Sequence, residues 1–216
     1  MAGLFGSSCA RGEGSHDLPD PAVDAVLAAA GQKKTAVLAA GCFWCTQGVF
    51  EQIPGVTGVV SGSSGDTRET ANYDAVCSHN TNHAECVLVT YDASKTTYGK
   101  LLQVFFYTHD PTQLNGQGPD TGRQYRSAIF YGDDEQKKIA QAYIQQLNQA
   151  KAFDKPIVTT LEKLTEFYPA EDFHQGYTRN NPLQPYIQRY AIPKAEKARK
   201  RFSAEAAPTT QGTKKP

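Results

Sequence analysis

The sequence has no excess of either charge, no apolar run of membrane length and no internal repeat. Lysine and arginine together number 22, as do aspartate and glutamate, so neither a nucleic-acid partner nor an anionic membrane surface is expected. A membrane-spanning helix needs about 20 consecutive apolar residues, and no stretch approaches that. Cysteine is scarce and odd in number, five in 216 residues, unlike the paired framework of a small secreted domain. A reducing compartment, the cytoplasm, is the expectation. The first ten residues lack a basic region, and their apolar core is too short for an ordinary signal peptide. Gly6-Ser7-Ser8-Cys9 is similar to the end of a lipoprotein signal whose apolar stretch is missing. A periplasmic or lipid-anchored location would require that signal to be truncated.

What is present centres on Gly41-Cys42-Phe43-Trp44-Cys45. It follows an apolar run, Thr35 to Ala40, and opens an amphipathic segment that continues to Ile53. That order reads as strand, tight turn and helix start, with Cys42 at the turn. Gly41 permits backbone angles that a side chain would forbid. A cysteine at a helix N-terminus meets unpaired N–H groups and the positive dipole end, both favouring thiolate over thiol. Cys45, three residues on, falls on the same helical face. Phe43 and Trp44 add apolar aromatic walls beside the sulfur. The combination points to redox chemistry on a small apolar group.

The remaining chain is long enough for one sizeable core. Residues 1–33, rich in Gly, Ser, Pro, Ala and Asp, read as a flexible leader with a short helical patch at Ala22 to Ala30. Residues 34–192 form the expected catalytic unit, and 193–216 a charged tail that frays. Within the unit, strands are expected at Val56 to Ser61, Ala84 to Tyr91, Arg126 to Tyr131 and Ile157 to Leu164. Helical periodicity marks Trp44 to Ile53, Tyr98 to Thr108 and Asp133 to Gln149. Gly62 to Asn72 reads as a polar loop, and Tyr73 to His79 as irregular. Asp110 to Gln124 is a connection long enough to suggest function. From Glu166 to Tyr190 the chain wraps rather than forming regular elements.

A lone C-x-x-C leaves three readings open: a dithiol redox pair, half of a zinc site, or two small buried hydrophobes. Zinc could draw on Cys77 and on His79 or His83 downstream, although Cys77-x-His79 is unusual ligand spacing and gives Trp44 and Glu85 no role. Glu85 lies inside the apolar strand Ala84-Glu85-Cys86-Val87-Leu88-Val89 and shares a face with Val87 and Val89. Facing the core, its carboxyl would keep its proton near neutrality and could donate it to a substrate oxygen. At a strand edge it would simply be solvated. Cys86 takes the opposite face and reads as a small core residue. Tyr73 and Tyr125 each flank a loop and could present a phenol to a polar substrate atom.

Taken together, the motifs make the chain similar to the A-type peptide methionine sulfoxide reductases. The matching stretches are GCFW at 41–44, NYDAVCS at 72–78, HAE at 83–85, HDPTQLNGQGPDTGRQYRSAIFY at 109–131 and FYPAEDFHQGY at 167–177. The resemblance implies an α+β fold, a mixed sheet flanked by helices and close to the ferredoxin-like plan. It implies reduction of the S-epimer of methionine sulfoxide, free or in oxidised proteins. The family's nucleophile matches Cys42, its methyl-gripping aromatics Phe43 and Trp44, and its proton donor Glu85. Its oxygen-binding tyrosines match Tyr73 and Tyr125, a pocket carboxylate matches Asp120, and a rim tyrosine matches Tyr177.

The family's recycling cysteine after Asn-Pro is missing, since Asn181-Pro182 leads to Leu183 through Tyr186. Cys45, where glycine is usual, is its natural substitute, as in members with a C-x-x-C site. Asn82, His79, Ser63 and Gly116 also depart from the family pattern in the loops around the pocket. The expected cycle forms a Cys42 sulfenic acid and then a Cys42–Cys45 disulfide. Thioredoxin, or dithiothreitol in vitro, would reduce that disulfide, with no bound cofactor or metal, in a monomer. The alternatives are a general thiol–disulfide oxidoreductase and a zinc-binding module.

Overall fold

A computed structural model of the chain describes residues 17–78 and 80–203. Gly6 to Cys9, His79 and the last residues of the tail lie outside the described residues. In chain order the elements begin with β1 (Lys33–Ala40), α1 (Phe43–Phe50), β2 (Val56–Ser64), α2 (Tyr73–Cys77), β3 (Ala84–Asp92) and α3 (Tyr98–Thr108). There follow β4 (Gly116–Gln117), β5 (Asp120–Thr121), β6 (Ser127–Tyr131), α4 (Asp134–Gln149), β7 (Thr160–Lys163), β8 (Tyr168–Pro169), α5 (Tyr177–Asn180) and α6 (Ile192–Phe202).

The nucleus is a βαββαβ unit, β1-α1-β2-β3-α3-β6, whose strands lie in the order β6-β1-β3-β2 with every neighbouring pair antiparallel. That is the ferredoxin-like arrangement. The α4 crossover adds β7 parallel to β6, and β8 pairs with β2 at the other edge. The result is the mixed sheet of an α+β fold.

Strand alternation divides the sheet into two faces. Leu38, Val87, Val89 and Ile129 pack with Phe50, Leu101, Phe105, Tyr143 and Leu147 from the helices. Each such side chain, fully buried, contributes about 2 kcal/mol of transfer free energy. Val37, Ala39, Cys86, Ala128 and Phe130 form a smaller cluster on the opposite face. Glu85 therefore belongs to the helix-covered face and Cys86 to the other, as the alternation predicts.

The long helices begin where their caps dictate. The Thr97 hydroxyl accepts from Lys100 N at 3.2 Å to start α3, and Asp133 accepts from Gln136 N at 2.8 Å to start α4. Other segments differ from expectation. Tyr73 to Cys77 is helical, with Asn72 Oδ1 accepting from Ala75 N at 3.0 Å. The Gly62 region stays in β2 because β8 pairs with it, and a Cβ on Gly62 would stand 2.3 Å from the Tyr168 carbonyl. The expected amphipathic α1 is covered on nearly all sides, since α5 and α6 close over the face the sheet leaves free.

Residues 17–32, expected within a flexible leader, are irregular in backbone but tied to α3 and α4 by hydrogen bonds. Leu18 is buried, Gln103 Nε2 donates to its carbonyl at 2.9 Å, and Tyr143 Oη donates to Pro19 O at 2.8 Å. No helix forms at Ala22 to Ala30. Instead Gly99 N of α3 donates to Asp24 Oδ1 at 2.7 Å, which ties the segment to the start of that helix. At the other end α6 is regular to Phe202 rather than frayed, because Ala198 and Phe202 join the core. Among the described residues, no helix is long and apolar enough to cross a membrane.

Candidate active site

The cysteine turn is built from below by the long loop. Gly41 adopts φ +87°, and a Cβ there would stand 2.5 Å from Gln117 Cβ, so only glycine fits. Gln117 is buried and clamped to Asp110, whose N–H donates to Gln117 Oε1 at 3.2 Å and whose carbonyl accepts from Nε2 at 3.0 Å. Cys42 sits at the N-cap of α1 with φ −51° and ψ 124°, its carbonyl accepting from Thr46 N at 3.2 Å. No capping hydrogen bond reaches the sulfur, and the Cys45 backbone N–H offers its charge only minor support.

The expected resting thiolate at Cys42 does not follow. The side chain is buried, and burial pushes its thiol well above the usual range, with the neighbouring Cys45 adding to the rise. Desolvation of a charged sulfur outweighs what the half-open helix end returns. Cys45 is shifted the other way, because Cys42 hydrogen-bonds to it and Lys194 lies nearby. Both cysteines are free thiols in one cluster with Ile187 and Ala191.

Glu85 reaches the same spot from β3. Phe43 N donates to its Oε2 at 3.0 Å, and only 3% of the residue is exposed. Burial holds the carboxyl well above the ordinary range, the neighbouring Cys42 reinforces it, and the Phe43 bond offsets only part. Glu85 is therefore a neutral acid with a proton to give. Across the sheet, Ser63 stands opposite it on β2, where the family pattern favours a tyrosine.

Aromatic rings surround these groups. Trp44 stacks on Tyr177 at 3.9 Å between centroids and 11° between planes. Phe43 is buried and, with Tyr73, Glu85 and Val76, lines a small cavity. Tyr73 is partly exposed at the start of α2, its phenol pushed up by burial and by its hydrogen bond with Cys77. Tyr125 follows the long loop, its phenol pushed up by burial and by Glu85 and Cys42. Both keep their protons and can donate. Asp120, half-buried on β5, has its carboxyl raised by burial and accepts from Tyr186 Oη at 2.5 Å.

Two residues at this site lay outside the sequence reading. His174, within the FHQGY stretch, accepts from Trp44 Nε1 at 3.3 Å and lies 4.5 Å from the Tyr73 ring. Trp44 lies 130 residues away in sequence, so no local pattern could reveal it. Tyr186 closes the cysteine-free segment after Asn181-Pro182. Its phenol lies 3.7 Å from Cys45 Sγ, and its ring meets Trp44 edge-on.

The zinc alternative finds no cage. Among the described residues, no group of three or more His, Cys, Asp or Glu could hold a metal ion. His83, a candidate ligand, is committed elsewhere, with Nε2 3.0 Å from Thr67 O and its ring edge-on to Tyr168.

Comparison with known proteins gives a consistent result. The family model for peptide methionine sulfoxide reductase matches residues 34–206. The chain is 48% identical over 192 residues to peptide methionine sulfoxide reductase MsrA 2 of Synechocystis sp., covering 88% of this chain and 90% of that one. It is 50% identical over 169 residues to MsrA of Natronomonas pharaonis, covering 78% and 95%. Among solved structures it resembles reduced Mxr1 from Saccharomyces cerevisiae, with TM-score 0.66 and 31% identity over 76% of this chain and 91% of that one. Methionine sulfoxide reductase A of Corynebacterium diphtheriae gives TM-score 0.62 and 35% identity, covering 77% and 84%.

Proposed function

This chain belongs to the peptide methionine sulfoxide reductase family, and from that premise we propose that it reduces methionine-S-sulfoxide, free or in oxidised proteins, with Cys42 as nucleophile and Glu85 as acid. The observation that carries the reading is the Phe43 N to Glu85 Oε2 bond of 3.0 Å. It ties a protonated carboxyl to the residue that follows the nucleophile. One carboxyl oxygen is occupied by the amide, which leaves the other to present its proton toward the substrate oxygen. Phe43 and Trp44 grip the methyl group, with Tyr177 stiffening the indole from behind. Tyr73 and Tyr125 hydrogen-bond the sulfoxide oxygen, and Asp120 lines the pocket.

In the first step the Cys42 sulfur attacks the sulfoxide sulfur as Glu85 protonates its oxygen. The thiol proton restores Glu85, the oxygen passes to Cys42, and methionine leaves a sulfenic acid behind. The resting thiol need ionise only as the new bond forms, when the N–H groups at the start of α1 meet the charge. Cys45 then condenses with the sulfenic acid to give a disulfide and water, and a thioredoxin dithiol reduces it. No step calls for a metal or an organic cofactor.

Cys45→Ser separates the two halves of this cycle. The variant should release one methionine per chain and then stall when thioredoxin is the only reductant. Thioredoxin-coupled turnover measured beside single-turnover methionine release checks this. Undiminished cycling would move the resolving role to another cysteine, such as Cys77.

A further inference from the structure

Cys45 has a difficulty that the cycle does not resolve. To attack a sulfenic acid it must lose a proton, yet only 4% of the residue is exposed, so water cannot take that proton directly. A continuous chain of hydrogen bonds leads out. Cys45 Sγ donates to Tyr186 Oη at 3.7 Å, and Tyr186 Oη donates to Asp120 Oδ2 at 2.5 Å. Asp120 is only partly buried and can therefore exchange its proton with solvent.

Resting on the reading that Cys45 resolves Cys42, we propose that Tyr186 is a catalytic residue of the resolving step, relaying the Cys45 proton to Asp120 as Cys45 attacks the Cys42 sulfenic acid. The Tyr186 oxygen receives the thiol proton while its own proton passes to the carboxylate. The S–S bond forms and the S–O bond of Cys42 breaks. The Cys45 sulfur is oxidised and the Cys42 sulfur reduced. The departing hydroxide takes the Glu85 proton and leaves as water, Asp120 passes the Cys45 proton to solvent, and Glu85, which unlike Cys45 lines the small cavity with Phe43 and Tyr73, regains a proton through it.

The electrostatics favour this direction. In the reduced pair the Cys45 thiol is shifted down, by the Cys42 hydrogen bond first, and the Lys194 charge, which oxidation of Cys42 does not remove, lowers it further. Burial raises the Asp120 carboxyl. Donor and final acceptor are brought toward each other, which is what transfer through a neutral phenol requires. The titratable groups facing the relay are Cys42 at the turn, Glu85 on β3, Tyr125 after the loop and Lys194 on α6. Tyr186 occupies the stretch after Asn181-Pro182 where the family's recycling cysteine is absent, so a phenol there serves the thiol that replaces it.

Tyr186→Phe keeps the ring against Trp44 and removes only the relay oxygen. The full chain is mixed with excess methionine-S-sulfoxide without reductant. Methionine release, trapped sulfenic acid and the Cys42–Cys45 disulfide are followed separately. In the variant the sulfenic acid should accumulate, with disulfide formation slowed roughly tenfold or more. That slow rate should climb with rising pH as Cys45 ionises unaided, while the wild-type rate stays nearly level. Disulfide formation at the wild-type rate, with an unchanged pH profile, overturns the relay. Failure of the underlying reading looks different: the wild-type chain would release no methionine, or the disulfide would join Cys42 to a cysteine other than Cys45, and either result removes the relay with it.

Discussion

Cys42→Ser should lose sulfoxide reduction by on the order of 10⁴-fold or more, the scale seen when a nucleophile is deleted, while folding normally. Serine fits the same N-cap position and suits it better than cysteine, so stability should hold or rise slightly. What disappears is the sulfur placed to accept oxygen from the sulfoxide and pass it on as water. A hydroxyl at this site has neither the acidity nor the polarisability for that exchange. The check is methionine formation under excess dithiothreitol, which bypasses every other cysteine. Residual activity within a factor of ten of wild type would mean that another thiol performs the chemistry.

Glu85→Gln should reduce kcat by about 10²-fold or more, the usual worth of a positioned general acid. The amide retains the size of the carboxyl and can still accept from Phe43 N, so the geometry should survive. Its effect on stability has the opposite sign. The folded-state pKa of Glu85 is raised by burial. Below the ordinary glutamate value of about 4.3 both states hold the proton. Above it the unfolded chain releases the proton while the folded chain keeps it, so stability falls as pH rises until the folded group also ionises. Glutamine removes that penalty. The variant should match or exceed the wild type in thermal stability at neutral pH and lose part of the downward slope on the alkaline side. An inactive but more stable variant is the signature of a buried acid kept for chemistry. A variant with wild-type kcat would take Glu85 out of the mechanism.

Much of this site is legible in the sequence where the relevant geometry is local. Strand, glycine turn and helix start place Cys42, and alternation along β3 places Glu85 and turns Cys86 away. The α3 boundaries, Tyr98 and Thr108, follow from its apolar spacing. What could not be read depends on contacts between distant segments. The ordered stretch from Asp17 to Gln32 is fixed by α3 and α4, which no local pattern in that stretch announces. The ionisation of Cys42 depends on how completely Ile187, Ala191 and the surrounding rings cover it, and a helix-dipole argument omits that cover. His174 and Tyr186 gain their roles from partners 130 and 141 residues away. The helix at Tyr73–Cys77 is too short for periodicity to register.

The most direct measurement mixes the reduced full-length chain with an excess of each methionine sulfoxide epimer in turn, without any reductant. Methionine is counted and the cysteines are mapped. The account predicts one methionine per chain from the S-epimer, none from the R-epimer, and a disulfide joining Cys42 to Cys45. Two unreacted epimers, or methionine released while Cys42 remains a free thiol, would contradict it.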